Sequence, residues 1–432
     1  SLSATMLVVV GAVAVVATWA SRYSLEEELA SGRTDAWGAR RYSTLVPLFL
    51  AAMVLAVLAA NLGVLWAAIA ATTVITAFLV GHRRTTTSLE ATWKYVVICS
   101  VGIAIAYLGT VLVYFAGRSA GLDGADALDW VALSSHAATL DPDVMRLAFA
   151  LLVVGFGTKA GLVPLHSWLP DAHSQAPAPV SALMSGVLLS VGVYAVLRYR
   201  ALVAPVLSST FIRTVLLAIA LSSLALAAWL LVSQRDYKRL LAYSSIEHMA
   251  LCMVGVAVGT RIAIAAVLLH FLGHGLGKAV LFCTSGRILS TTRTSTIADV
   301  RGLLTSHRAI GAAFALGLVA LVGLPPFSLF ASEVALVRAT VEAGLGWAAA
   351  VVLALVVLAF VAIVVRVTPL LFGGPDDAGA APPPTTTPTT TATVVRADIP
   401  LVAGLVALAL IGVVSWPLAS LLDGAAAIVG SR

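Results

Sequence analysis

Charged residues are scarce in this 432-residue chain: Asp, Glu, Lys and Arg make up 11% of it, against 60% hydrophobic residues. A water-soluble domain carries about a quarter charged residues, so a soluble globular fold is excluded and an integral membrane protein is expected. Cysteine is nearly absent too. Cys99, Cys252 and Cys283 all fall in apolar runs, and no C-x-x-C pair occurs. Neither an iron–sulfur cluster nor a nickel site can therefore be read here, and no cofactor or metal is expected. The net charge is +6, but the basic residues are scattered over short loops. Without a clustered basic patch a nucleic-acid partner is excluded, and a positive-inside bias explains the charge better. A charged segment followed by a cleavage motif is also missing, so no signal peptide is expected. The chain starts at Ser1 without a methionine, which leaves room for a preceding piece.

What is present is a series of apolar runs of roughly 17 to 25 residues, too long for barrel strands. About twelve spans are expected, near 5–20, 44–60, 62–81, 93–116, 145–164, 179–199, 211–233, 238–259, 262–288, 307–340, 346–372 and 398–422. The fifth is interrupted by Pro164 and Pro170, the tenth by Pro325 and Pro326. Proline cannot continue the helical hydrogen-bond ladder, so both are expected to be broken helices. Loops with Arg22, Arg33, Arg83, Arg235 and Arg293 alternate with a side holding Asp123, Asp126, Asp129, Asp141 and Asp143. The first side is then cytoplasmic and the N-terminus of the fragment lies outside, in a bacterial or archaeal cytoplasmic membrane. Residues 1–372 form the bundle, the Pro/Thr-rich stretch 373–397 a flexible loop, and 398–432 a last transmembrane helix and tail.

Ionisable residues at membrane depth are costly and mark candidate sites. Lys159, in GTKAGLVPLHSWLPDAH, precedes the first break. Its bland alternative is a lysine snorkelling to the interface; a buried lysine could instead exchange protons. His270, His274 and Lys278 recur at i, i+4 and i+8, on one helix face over about 12 Å. Such a column suits proton hopping, since imidazole both accepts and donates near neutral pH. Its rivals are structural hydrogen bonding and a two-histidine metal site, which needs a third ligand. Gly273, Gly275 and Gly277 allow close packing or hydration of that helix. Glu333 is either a pathway carboxylate or an interfacial partner of Arg338. Glu247 and His248 are adjacent, so they point to different faces. Glu90 and Lys94 have the favoured i, i+4 order for a helix salt bridge. His166, Asp171 and His173 follow Lys159, and sequence does not decide whether they are solvated.

The segments GTKAGLVPLHSWLPDAH, DYKRLLAYSSIEHM, LLHFLGHGLGKAVLFCTSG and GLPPFSLFASE occur in this order. Together they resemble the antiporter-like subunits of respiratory complex I and of multi-subunit sodium/proton antiporters. The IEHM and SLEATWKYVVICSVGIA wording is most similar to the long membrane component of the hydrogenase-4 or formate-hydrogenlyase branch. The resemblance covers roughly residues 1 to 375. It implies an all-α polytopic bundle of fourteen helices with two inverted repeats, each holding a broken helix, of which the present spans would be the third to fourteenth. It implies that Lys159 is the broken-helix lysine of a first half-channel. His270, His274 and Lys278 would be the central hydrophilic axis, and Glu333 the residue at the second break. A glutamate that faces the broken-helix lysine in that family corresponds here to Ala70, in NLGVLWAAIAATTV. The loss could be engineered, a natural silencing, or compensated by another acid, with Glu247 as a candidate. The function implied is proton translocation without a redox centre of its own, in a complex I-like or energy-converting hydrogenase assembly with membrane and peripheral partner subunits. Alternatives are a sodium/proton antiporter subunit, a proton-driven inorganic-carbon uptake complex, and a structural subunit with an inactive half-channel.

Overall fold

The computed structural model describes residues 2–374, 391–414 and 416–430, all of whose long elements are helices. They are α1 (Leu2–Ala30), α2 (Ala36–Leu58), α3 (Leu62–Val80), α4 (Thr86–Ser119), a short α5 (Trp130–Ser135), α6 (Pro142–Lys159), α7 (Trp168–Gln175), α8 (Ala178–Leu183), α9 (Leu189–Val203), α10 (Ser209–Val232), α11 (Tyr237–Val258), α12 (Arg261–Thr292), a single turn α13 (Leu303–Ser306), α14 (Arg308–Leu321), α15 (Ser328–Glu342), α16 (Gly346–Phe372), α17 (Thr391–Val413) and α18 (Trp416–Val429). Helix starts follow from capping chemistry. Asp35, Asn61, Thr85, Asp141, Ser208, Asp236 and Thr260 each accept a backbone N–H of the first turn. An oxygen there satisfies a donor that the helix itself leaves orphaned.

Among the described residues nine helices, counting α8–α9 as one, are long and apolar enough to cross a membrane. The other three expected spans are not single long apolar helices. α6 carries Asp143, Arg146 and Lys159 within 18 residues, and α14 and α15 are shorter pieces of 14 and 15 residues. The span expected at 398–422 is not one helix: α17 and α18 meet at a bend of 74°. Pro417 sits in the first turn of α18, where it cannot donate to α17. Most of the expected 373–397 loop lies outside the described residues, and α17 begins at Thr391, inside its expected range.

The two breaks share one construction. After α6, Gly161 (φ 74°) and Leu162 send N–H bonds back to Thr158 and Gly157. After α14, Gly323 (φ 67°) and Leu324 send theirs to Ala320 and Val319. Each is a paired C-terminal capping motif whose left-handed residue is best filled by glycine. Each continues as Gly-Leu-x-Pro, with a cis bond before the final proline (Val163–Pro164 and Pro325–Pro326). The shared motif fits a repeated unit with one break per copy.

α12 forms the centre, packed against α1, α8, α11, α14, α15 and α17. It, α8–α9 and α11 are almost wholly enclosed by other helices. Since lipid is as apolar as the helices, close packing of small residues has to hold such a bundle together. Gly275 and Gly186 do so: a Cβ on Gly186 would meet the Gly275 carbonyl at 2.9 Å. Gly186 belongs to a π-helical turn, Met184–Leu188, between α8 and α9. There Ser185 and Ser245 of α11 share a hydrogen bond of 2.7 Å.

Candidate functional site

Two groups of buried ionisable residues lie close to the two helix breaks. Lys159, at the end of α6, is fully buried. Its ammonium donates to Thr73 Oγ1 of α3 (2.9 Å) and to Tyr95 Oη of α4 (3.2 Å), and lies 5.2 Å from the centre of the Tyr95 ring. Tyr95 in turn shares a short hydrogen bond with Thr76, which itself donates to the Thr72 carbonyl. Tyr95 also packs edge-on against Trp168 of α7, whose indole N–H donates to the Thr158 carbonyl (3.0 Å). The lysine is thus held by hydroxyls and an aromatic face. Among the described residues no carboxylate forms an ion pair with it. Ala70 stands one turn before Thr73, so a carboxylate at that position would share Thr73's helix face. Glu247, the candidate replacement acid on α11, forms no described hydrogen bond or ion pair with Lys159. Full burial also rules out the snorkelling alternative.

The second group lies where α11, α12 and α15 meet. Lys278 donates to the Leu241 carbonyl (2.7 Å) and Ser244 Oγ (2.5 Å), both on α11. Beyond it the His274 and His248 ring centres are 5.1 Å apart, as are those of His248 and His270. His248 Nδ1 and His270 Nε2 are hydrogen-bonded at 3.0 Å. His270 Nδ1 contacts Ser332 Oγ at 3.0 Å, and Ser332 donates its proton to the Leu329 carbonyl (2.9 Å). The serine therefore accepts from His270, which places the imidazole proton on Nδ1 and leaves Nε2 bare toward His248. Glu333 Oε1 lies 3.9 Å from His248 Nδ1. Its carboxylate covers the second break so closely that a Cβ on Gly323 would collide with Glu333 Oε2. Arg338 is not its partner, since Arg338 pairs with Glu342 at 2.7 Å. Two cavities open beside this group. One of about 10 Å³ is lined by Glu247, His248 and Glu333, and one of about 50 Å³ by Glu333 with α11, α15 and α16.

His173 is the buried residue that sequence left undecided. It is fully enclosed, stacked on Phe282 of α12 (centres 4.9 Å apart), and within charge range of Lys238, Lys278 and His274. Neither its ring nitrogens nor those of His274 have a hydrogen-bond partner among the described residues. Over His173, Asp171 pairs with Lys94 (3.1 Å) and with Arg239, while Lys94 also pairs with Glu90 (3.0 Å). The Glu90–Lys94 bridge is thus one edge of a four-residue charge cluster joining α4, α7 and α11. No described hydrogen bond or ion pair connects the Lys159 group to the α11–α12–α15 group.

Comparison with known proteins matches this architecture. The chain is 41% identical over 317 residues, 73% of its length, to the hydrogenase-4 component F homolog of Methylacidiphilum infernorum, of which it spans 66%. Among solved structures it superposes, at 24% identity and a TM-score of 0.85, on a chain of the membrane-bound sulfane sulfur reductase, an archaeal respiratory membrane complex; the match covers 99% of this chain and 82% of that one. A chain of the Mrp complex from Dietzia sp. DQ12-45-1b gives 22% identity and a TM-score of 0.82 over 99% of this chain and 83% of its own length. The family described as NADH:quinone oxidoreductase/Mrp antiporter, transmembrane, matches residues 59–359. With that match over most of the chain, on a helical membrane bundle with two broken helices, this polytopic membrane protein belongs to the NADH:quinone oxidoreductase/Mrp antiporter transmembrane family.

Proposed function

We propose that this chain is the proton-translocating membrane subunit of a multi-subunit redox assembly of the complex I or energy-converting hydrogenase kind. The observation that carries the reading is the buried line Lys278, Glu247 and His274, His248, His270, Glu333, which ends at cavities beside the second break. Isolated charges in a membrane interior are destabilising, so a row of neighbouring buried titratable groups supports a reading as a charge pathway. On the orientation expected from loop charges, His173 and Lys278 lie toward the cytoplasm and Glu333 toward the outer side. A proton would then pass from the region of His173 to Lys278, through the imidazoles, to Glu333. The unpartnered nitrogens of His173 and His274 would each cost about 1–3 kcal/mol if dry, so both are natural places for water in the line.

The Lys159 group supports a different role. With Ala70 in place of an acid and hydroxyls around the ammonium, it lacks the ion pair whose making and breaking would drive a first half-channel. Proton movement is accordingly assigned to the central line, and the Lys159 half is silent. The relatives' names motivate a redox-coupled partner; sodium exchange is the rival. The test is to purify the assembly that contains this chain, reconstitute it in liposomes, and follow internal pH during turnover. A gradient that forms without sodium and collapses with a protonophore is expected, and Glu247→Gln should slow its formation by at least about tenfold. A gradient that requires sodium would contradict the reading.

A further inference from the structure

Three side chains in the central line also satisfy the requirements of a metal centre. His248, His270 and Glu333 each present one ligand atom, and the three atoms lie within 4.8 Å of one another. The separations are 3.0 Å between His248 Nδ1 and His270 Nε2, and 3.9 Å between His248 Nδ1 and Glu333 Oε1. Tetrahedral zinc with nitrogen and oxygen ligands at about 2.0–2.1 Å needs its ligand atoms about 3.4 Å apart. Shifts of about half an ångström on the two measured edges, and of up to about 1.4 Å on the third, would meet this. Two neutral imidazoles and one carboxylate are the donor set that zinc-class ions favour, whereas calcium and magnesium prefer oxygen alone. The proton that His248 Nδ1 shares with His270 Nε2 leaves Nδ1 as the ion binds, by release or by moving to the other ring nitrogen.

The surroundings are also those of a prepared site. His270 Nδ1 is engaged by Ser332 Oγ, and that serine by the Leu329 carbonyl. An outer partner of this kind fixes the ring and turns its bare Nε2 to the metal position. Two of the three ligands, His248 and Glu333, line the cavity of about 10 Å³ with Glu247, enough for about one water molecule as a fourth ligand. The cavity of about 50 Å³ also has Glu333 in its lining. From these observations we infer that His248, His270 and Glu333 bind one divalent cation of the zinc class, and that the bound ion plugs the buried line at its outer end. The blocking half of the inference rests on the proposed proton route; the binding half does not.

Cobalt(II) replaces zinc in such sites and reports its ligands by intense visible absorption, so it separates binding from transport. The full-length protein in lipid nanodiscs, stripped with a chelator, should take up one equivalent of cobalt with a low-symmetry spectrum that zinc abolishes. His248→Gln, His270→Gln and Glu333→Gln should each weaken uptake by more than about 100-fold, and Ser332→Ala by about 10–100-fold. Glu333→Asp, which keeps a carboxylate, should retain a weakened spectrum and serves where a Gln variant fails to fold. No saturable spectrum in the wild type, or equal affinity in the variants, would overturn the site. A second arm adds zinc to the outer face of reconstituted assemblies, where proton flux should stop. Cobalt bound as expected, with flux indifferent to zinc, would leave the site standing and remove the proton route instead.

Discussion

At Lys159 the contacts are all neutral: Thr73, Tyr95 and the Tyr95 ring. A buried charge can persist on hydroxyls and an aromatic face, but those groups do not change charge themselves and so offer no switch. Ala70→Glu would place a carboxylate on the Thr73 face of α3, within reach of the lysine. The expected outcome is a rise in protons moved per electron, measured in reconstituted assemblies; an unchanged ratio would mean that the Lys159 group does not conduct even with an acid restored. Gly323 gives a second prediction at this scale. Alanine there would collide with the Glu333 carboxylate and adopt a φ of 67°, which favours glycine. Gly323→Ala should therefore lower the thermal stability of the detergent-solubilised protein, by about 1–3 kcal/mol, and displace Glu333 from the break. An unaltered melting curve with unaltered transport would show that the carboxylate does not rest there.

The helices differ in how plainly their residues announce them. α12 could be read directly, because His270, His274 and Lys278 at i, i+4, i+8 do face α11 together, and Gly275 does approach another helix closely. The breaks were legible from Pro164 and Pro325–Pro326, although the shared Gly-Leu-x-Pro with its paired capping bonds emerges only when both backbones are compared. Three features had no readable signal. Thr73 and Tyr95 are ordinary residues of apolar helices until Lys159 is brought against them from 64 or more positions away, and Thr76 joins them only through Tyr95. His173 belongs to a short polar helix, and its burial follows from α7 docking on Phe282 of α12. The π turn at Met184–Leu188 lies where Gly186 packs closely against α12 and α1. Ser185, at that turn, supplies an element-scale prediction. Ser185→Ala removes the hydrogen bond to Ser245 of α11 and should cost about 0.5–1.5 kcal/mol of stability. Hydrogen exchange of α8–α9 would rise if the bond holds the turn, and would stay unchanged if it does not.

Among the described residues the buried groups near the two breaks form one row and one separate cage, with the Glu28–His82–Arg83 cluster apart from both. The row runs from Lys278 through His274, His248 and His270 to Glu333, with His173 stacked on Phe282 of α12 near its Lys278 end. The cage around Lys159 lies between α3, α4 and α6 and joins nothing in that row by a described hydrogen bond or ion pair. The most direct test compares Lys278→Met with Lys159→Met in the intact assembly, reading protons moved per electron transferred in liposomes. The account predicts that Lys278→Met reduces the ratio by at least about tenfold while Lys159→Met leaves it near the wild-type value. Equal losses in the two variants, or an undiminished ratio in Lys278→Met, would contradict it.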